Sequence, residues 1–323
     1  MCRLTHVRRI SRVIDITDVP DELAQSQADA NGAAGRDWIA GLPEQTNAYL
    51  ERWRLRRTGS PMHGMTALVL PVERADGTSA ALKLQLLDEE SAGEPVALKL
   101  WGGAGAVRVL EHDEASGALL LEGLDASRQL SALPDPMDSV RIIAELLAGL
   151  TAVTAPEGMR GLGDIAGAML DDVPRALRGL ADPADRRLLE WCAGAVREVA
   201  GEPGDRLLHW DLHENNVLAP LPGSGREPWI AIDPKPLAGD PGFDLWPALD
   251  NRFDAAQVLP RFDLMTEVLG LDRDRARAWT LGRLLQNGLW DVEDGESRLQ
   301  EEQVVIGETL LGGHSRSSLR VRS

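Results

Sequence analysis

The stretch His209-Trp210-Asp211-Leu212-His213-Glu214-Asn215-Asn216 sets two histidines, two carboxylates and two amides inside an apolar frame of Leu207, Leu208, Val217 and Leu218. Flanks of that kind are expected to be buried, and the polar groups between them then need partners or a ligand. Asp211 can accept a hydrogen bond from a hydroxyl and aim its oxygen at an electrophile. The side-chain oxygen of Asn216 can hold a hard cation such as Mg²⁺. The alternation His209, Asp211, His213 allows another chemistry, a zinc or di-metal centre of a hydrolase, which would need further ligands. His6, His63, His112 and His314 form no second cluster in the chain. A loop held together by hydrogen bonds alone is a third reading, and it gives no reason for the spacing of Asp211 and Asn216.

That spacing is the H-x-D-L-x-x-x-N pattern of a kinase catalytic loop. In this reading Asp211 orients an acceptor hydroxyl toward the γ-phosphate, Asn216 binds Mg²⁺, and His209 joins the catalytic set by bracing the loop. A second carboxylate is then required for the metal. Asp233 meets the need, seventeen residues after Asn216 and at the end of the apolar run Trp229–Ile232. Pro234 fixes the backbone behind it, which suits a rigid metal site. A lysine for the ATP phosphates completes the set, and the chain has three: Lys83, Lys99 and Lys235. Lys83 follows a strand and a hairpin turn, the context such a lysine requires, whereas Lys99 follows Glu94-Pro95 in a helix-like segment. The sequence selects Lys83, with Glu94 as its helix ion-pair partner and Glu90 or Glu89 as alternates.

With these residues in place the chain resembles the aminoglycoside phosphotransferases, and among them the streptomycin 6-kinase/hydroxyurea phosphotransferase group. The resemblance is carried by LLHWDLHENNVL (207–218), WIAIDPKPLAGDPGFDLWPAL (229–249), ALKL (81–84), WGGAGAVRVLEHD (101–113) and GALLLEGLD (117–125), in order, over roughly residues 50–290. It implies ATP and Mg²⁺ as cofactors and a small cationic acceptor. It implies Asp211 as the catalytic aspartate, Asn216 and Asp233 as metal ligands and Lys83 as the ATP lysine. Glu122 to Leu124 would be the hinge that offers backbone groups to adenine, and the loop from Ser60 to Met65 would cover the phosphates. The family usually has Gly where this chain has Trp210, which bears on the acceptor. Trp210, His213, Asp240, Asp244 and Asp250 are the candidate acceptor residues. Asp240 and Asp244 also read as braces of the catalytic loop or as helix caps.

The elements needed to position this chemistry can be read from the pattern. Thr66–Val72 and Thr78–Leu86 read as strands around the turn Ala75-Asp76-Gly77, with two more strands at Ala106–Leu110 and Ala118–Glu122. Ser91–Leu100 is helix-compatible. Beyond Gly123 the apolar spacing turns helical: Val140, Ile143, Leu146, Leu147 and Leu150 share one face. Helical patterns recur near 164–180, 183–200 and from 242 to about 311. Residues 1–45 read as polar, with a short helix and an extension, and the tail GGHSRSSLRVRS as a frayed end. The expected fold is α+β and protein-kinase-like, with two lobes: a small antiparallel-sheet N-lobe with its extension over 1–122, and a larger helical C-lobe over 123–323. Ligands favour the space between such lobes.

Composition narrows the function classes. The net charge is −17, with 43% hydrophobic and 26% charged residues. Acidity of that degree argues against nucleic acid and suits a cationic small molecule. Cys2 and Cys192 form no spaced pair, so a reducing compartment is the default. No apolar run reaches membrane-spanning length, and the basic N-terminus lacks the apolar segment of a secretory signal, which together lead to a cytoplasmic expectation. Gly161-Leu162-Gly163-Asp164-Ile165-Ala166 fits a dinucleotide fingerprint, but no strand precedes it, so it reads as a loop into a helix. No lysine follows a glycine, which excludes a P-loop. Oligomeric state is left open.

Overall fold

The computed structural model describes residues 19–312. The expectations for Cys2, for the basic N-terminus and for the tail beyond Gly312 lie outside the described residues. The chain divides into two compact units: the first takes the chain up to Gly102, Val107–Asp125 and Pro220–Gly225, and the second Gly103–Ala106, Ala126–Ala219 and the rest.

The first unit begins with α1 (Asp21–Arg52), two helical segments that meet at Gly32, where the sequence suggested one short helix. Its polar composition hides a single stripe at helical spacing, in which Leu23, Gln27, Ile39, Leu42, Thr46, Tyr49 and Leu50 are buried. Gly32, at φ 55°, kinks it. Asp21 and Glu22 complement the positive end of the helix. The sheet follows: β1 (Arg56–Arg57), β2 (Met62–His63), β3 (Ala67–Glu73) and β4 (Ser79–Gln85). After α2 (Glu94–Trp101) come β5 (Val109–His112) and β6 (Leu119–Glu122). The strands lie in the order β1–β3–β4–β6–β5, with β2 also on β3, and every pairing is antiparallel. The expected turn between β3 and β4 is present, with Gly77 at φ 84° where an L side chain would be strained. The third expected strand starts later, at Val109, because Ala106 instead makes an isolated bridge to Ala231.

Alternation along β4 divides its side chains between two faces. Leu82 and Leu84 join Leu68, Leu70 and Leu120 in a core with Leu23, Leu42 and Tyr49 of α1. Lys83 and Gln85 therefore point to the opposite face, and they bond there to Glu94, the first residue of α2.

In the second unit, after β7 (Leu124–Gln129), stand α3 (Pro136–Leu150), α4 (Leu162–Gly179) and α5 (Pro183–Val199). Asp135 and Asp182 cap α3 and α5 by accepting backbone N–H bonds, and a proline opens each helix. Four short strands follow: β8 (Arg206–Leu208), β9 (Val217–Pro220), β10 (Ile230–Ala231) and β11 (Leu237–Gly239). The chain ends in α6 (Trp246–Asp250), α7 (Val258–Leu269), α8 (Arg273–Glu293) and α9 (Glu301–Gly312). From Trp279 to Leu285 every residue of α8 is buried, which is the mark of a central helix. It packs against α4, α5 and α9. No helix among the described residues is long and apolar enough to cross a membrane.

Candidate active site

In the first unit Lys83 and Glu94 form a buried ion pair. Lys83 Nζ lies 2.7 Å from both Oε1 and Oε2 of Glu94, and Gln85 Nε2 donates to Oε2 at 2.8 Å. The side chains of Lys83 and Glu94 keep 4% and 1% of their surface. Pro95 does not disturb the pair, because it occupies the first turn of α2, where its missing N–H has no helical partner to lose. Lys99 sits on an exposed face of α2, 3.3 Å from His112 Nδ1.

At the proposed hinge, Glu122 N donates to Arg108 O at 3.0 Å and Gly123 N to Ser79 O at 3.1 Å. Glu122 also accepts Arg108 N on Oε1 at 2.9 Å. A Cβ at Gly123 would stand 2.8 Å from Ser79 Cβ and 2.9 Å from its carbonyl oxygen, so only glycine allows this approach. Two of the hinge N–H groups are thus held by the sheet. Leu124 is half-buried, and Ser60 is exposed between β1 and β2. His63 and Met62 of β2 pair with Leu68 and Val69, so the loop expected over the phosphates is partly a hairpin.

In the second unit the catalytic-loop motif lies between β8 and β9. β8 pairs with β11 and β9 with β10, in the register Ile230↔Leu218 and Ala231↔Val217. The next step along that ladder is Ile232 N donating to Asn216 O at 2.9 Å, which sets Asn216 beside the start of Asp233-Pro234-Lys235. Asn216 Nδ2 donates to Asp211 O at 2.9 Å. The amide is oriented by that bond, leaving Oδ1 as the group to offer a cation. Asp233 stands at φ 57°, in the left-handed region that aspartate tolerates better than most residues. Its Oδ1 accepts from Lys235 Nζ at 2.9 Å. An amide oxygen and a carboxylate brought to adjacent strand ends are a hard donor set that fits Mg²⁺.

His209 is the point to which these strands are tied. Its backbone N–H donates to Asp244 Oδ2 at 2.9 Å, its carbonyl accepts Lys235 N at 3.0 Å, and its Nε2 donates to Ile232 O at 3.1 Å. Its Nδ1 faces Asp211 N at 3.4 Å. Burial pushes the imidazole down to about 3, so it is neutral at neutral pH. Through these bonds His209 holds the loop. The same geometry counts against the zinc reading, since both ring nitrogens face the protein. Among the described residues no group of three or more His, Cys, Asp or Glu side chains could hold a metal.

Asp244 and Asp240 are both buried and hold backbone N–H groups. Asp244 is 1% exposed, and its oxygens accept the N–H groups of His209 and of Trp210, at 2.9 and 2.5 Å. Burial raises its carboxyl to about 7. Asp240 caps Gly242 N at 2.8 Å and pairs with Arg275 at 2.6 Å. Asp250 is half-buried, and its carboxyl is raised by burial and then by Glu302. His213 is half-buried and caps the turn Glu214–Asn216 through its Nδ1.

Trp210 is buried as well. Its ring is 3% exposed, with the Arg160 guanidinium 4.3 Å and the Arg283 guanidinium 4.7 Å from its centroid and Trp290 at 6.3 Å. Its φ is 65°, where glycine would be unstrained, so the indole is kept by its packing against the backbone's preference.

The sequence reading missed Lys235, Arg283 and Arg252. Arg252 donates to Glu214 Oε1 at 2.9 Å, Ser139 Oγ at 2.9 Å and Leu133 O at 2.7 Å, clamping the loop from below. Only Lys235 left a signal, as a scarce residue two places after a metal-ligand candidate.

Asp211 itself is half-buried, and no side chain among the described residues donates a hydrogen bond to its carboxylate. Burial raises its pKa; the charges of His213, Lys235 and Arg283 oppose that rise, and Asp233 adds to it. The second unit therefore presents an aspartate open to a hydroxyl, beside an oxygen donor pair for a hard cation.

Residues 52–295 match the family described as aminoglycoside/hydroxyurea antibiotic resistance kinase. The chain is 60% identical to a hydroxyurea phosphotransferase of Kitasatospora aureofaciens, over 95% of this chain and 88% of that protein. It is 56% identical to a streptomycin 6-kinase of Streptomyces glaucescens, over 92% of this chain and 98% of the other. Among solved structures, a thermostable mutant of aminoglycoside phosphotransferase APH(4)-Ia, in complex with ADP and hygromycin B, is similar in fold. The TM-score is 0.56 at 14% identity, covering 84% of this chain and 98% of that one.

Proposed function

Because this chain belongs to the aminoglycoside/hydroxyurea antibiotic resistance kinase family, we propose that its acceptor is an antibiotic-like hydroxyl compound, a streptomycin-type aminoglycoside first. The protein has the protein-kinase-like fold and is a phosphotransferase that uses ATP on a small-molecule hydroxyl. The observation that carries the site assignment is the open carboxylate of Asp211 beside Asn216 and Asp233.

In this reading Asp211 accepts the hydrogen bond of the acceptor hydroxyl and orients its oxygen at the γ-phosphorus. The acceptor oxygen bonds to that phosphorus as the bond to the bridging oxygen of ADP breaks. The hydroxyl proton passes to Asp211, and the products are the phosphorylated acceptor and ADP. Lys83, held by Glu94, binds the nucleotide's phosphates from the first unit. Asn216 Oδ1 and Asp233 would hold Mg²⁺, which supplies neutralisation of phosphate charge. The hinge from Glu122 to Leu124 and the loop at Ser60 belong to the nucleotide side, and His213 and Asp250 to the acceptor side. A nucleotide co-substrate also goes with a place in the cytoplasm.

Two features bear on the acceptor's charge. The net charge of −17 draws a polycation such as streptomycin toward the protein. The 60% identity to a hydroxyurea phosphotransferase supports a second reading, a small uncharged acceptor of the hydroxyurea type. The test is a screen in which ADP release is followed with streptomycin and with hydroxyurea, and the product is weighed. One added phosphoryl group on either compound identifies the acceptor. ADP release with neither would remove both readings.

A further inference from the structure

Lys235 has a place in the site that phosphotransfer, as described so far, does not use. It is one of three lysines in the chain. Its backbone N–H donates to His209 O at 3.0 Å and its Nζ to Asp233 Oδ1 at 2.9 Å, so both ends of the residue are tied to the catalytic loop and its neighbour. The side chain keeps 15% of its surface. An ammonium withdrawn that far from water needs acceptors for its three N–H groups. Asp233 takes one. Among the described residues no second protein acceptor lies within hydrogen-bond distance. The ammonium therefore serves the Asp233 carboxylate, with donors left for something that is not protein.

We propose that Lys235 is a catalytic residue, whose ammonium donates to the non-bridging oxygens of the phosphoryl group as it passes from the nucleotide to the acceptor held by Asp211. The proposal rests on the roles given above to Asp211 and Asp233. The chemistry is unchanged: one phosphorus–oxygen bond forms to the acceptor, one breaks to ADP, and the proton goes to Asp211. Lys235 neither gains nor loses a proton. It offsets the charge on the oxygens of the moving group, from a position fixed beforehand by its bonds to His209 and Asp233, so little reorganisation is needed when the charge shifts. The competing role is simpler: an ion-pair partner that only neutralises Asp233.

The two roles differ toward a nucleotide that lacks the γ-phosphate. The full chain is compared with Lys235→Met and Lys235→Arg, with thermal melting as the check on folding. Calorimetry measures the binding of Mg·ADP and of the Mg complex of the non-hydrolysable β,γ-imido analogue of ATP. For Lys235→Met we expect Mg·ADP affinity within about twofold of the parent and the triphosphate analogue weakened about tenfold, the loss of one charge-assisted contact. With ATP and either streptomycin or hydroxyurea, kcat should fall about 10²-fold, as for removal of one transition-state donor. Lys235→Arg should keep more of both. Equal effects on ADP and the analogue, or no effect on either, would overturn the proposal and leave Lys235 as the partner of Asp233 alone. A parent chain that binds neither nucleotide would overturn the site assignment itself, which is a different outcome. If Lys235→Met does not fold, Lys235→Gln gives the same ratio of affinities while keeping a donor for Asp233.

Discussion

Asp244 accepts the backbone N–H of His209 at 2.9 Å, across 35 positions of the chain. The same carboxylate holds Trp210 N, so both residues that lead into Asp211 hang from one buried acid. Burial raises that acid from the ordinary 3.8 to about 7. A carboxyl that binds its proton more tightly when folded contributes stability that is full below its unfolded pKa, near 3.8, and is lost as pH rises through about 7. Wild-type protein should therefore lose melting temperature between pH 5 and pH 8. Asp244→Asn, which keeps an oxygen acceptor and does not titrate, should lose less over the same interval. Equal slopes in the two melting series would contradict the assignment.

The Lys83–Glu94 pair lends itself to a stability measurement independent of any substrate. Both groups are buried, so removing the Glu94 carboxylate takes a close acceptor from Lys83 and from Gln85. Glu94→Ala should lower the free energy of unfolding by about 3–5 kcal/mol. Lys83→Met with Glu94→Leu should recover part of that, because no charge remains in the core. Urea unfolding of the single and double variants checks both. A single variant as stable as the parent would show that the pair is solvated.

Much of this pair was legible beforehand, and the reasons are local. Strand alternation and a turn at Gly77 place Lys83 on a fixed face, and the spacing to Glu94 follows from a helix that starts at a proline. The Asp211–Asn216–Asp233 set was readable because the metal and hydroxyl chemistry demands those residue types at those offsets. What the sequence hid were partners supplied by distant helices. Nothing near Trp210 announces Arg160 or Arg283, which arrive 50 residues before and 73 after it. The long α1 was missed because its apolar stripe is diluted by polar residues, so that composition reads as an extension while spacing reads as a helix. His209 was read as a brace of the loop, and the partners it holds, Ile232 O and the Asp244 carboxylate, come from 23 and 35 positions further along the chain.

Trp210 sets two effects against each other. Glycine at this position would remove a backbone strain of about 1–3 kcal/mol. It would also remove an indole that is 3% exposed and contacted by two guanidinium groups, and loss of a buried tryptophan costs about 3–5 kcal/mol. The buried N–H of the indole, which has no acceptor, moderates that loss. Packing wins, so Trp210→Gly should be destabilised by about 2 kcal/mol in urea unfolding, the difference of those two ranges. A variant more stable than the parent would mean that relief of the backbone strain outweighs the lost packing.

The most direct test of the site assignment is Asp211→Ala, assayed with ATP and the acceptor that the screen identifies. Turnover should fall by about 10³-fold, within the range for loss of a positioned general base, while calorimetry finds Mg·ADP bound within about threefold of the parent. Phosphorylation of that acceptor at close to the parent rate would contradict the central claim, because the hydroxyl would then be oriented by some other group.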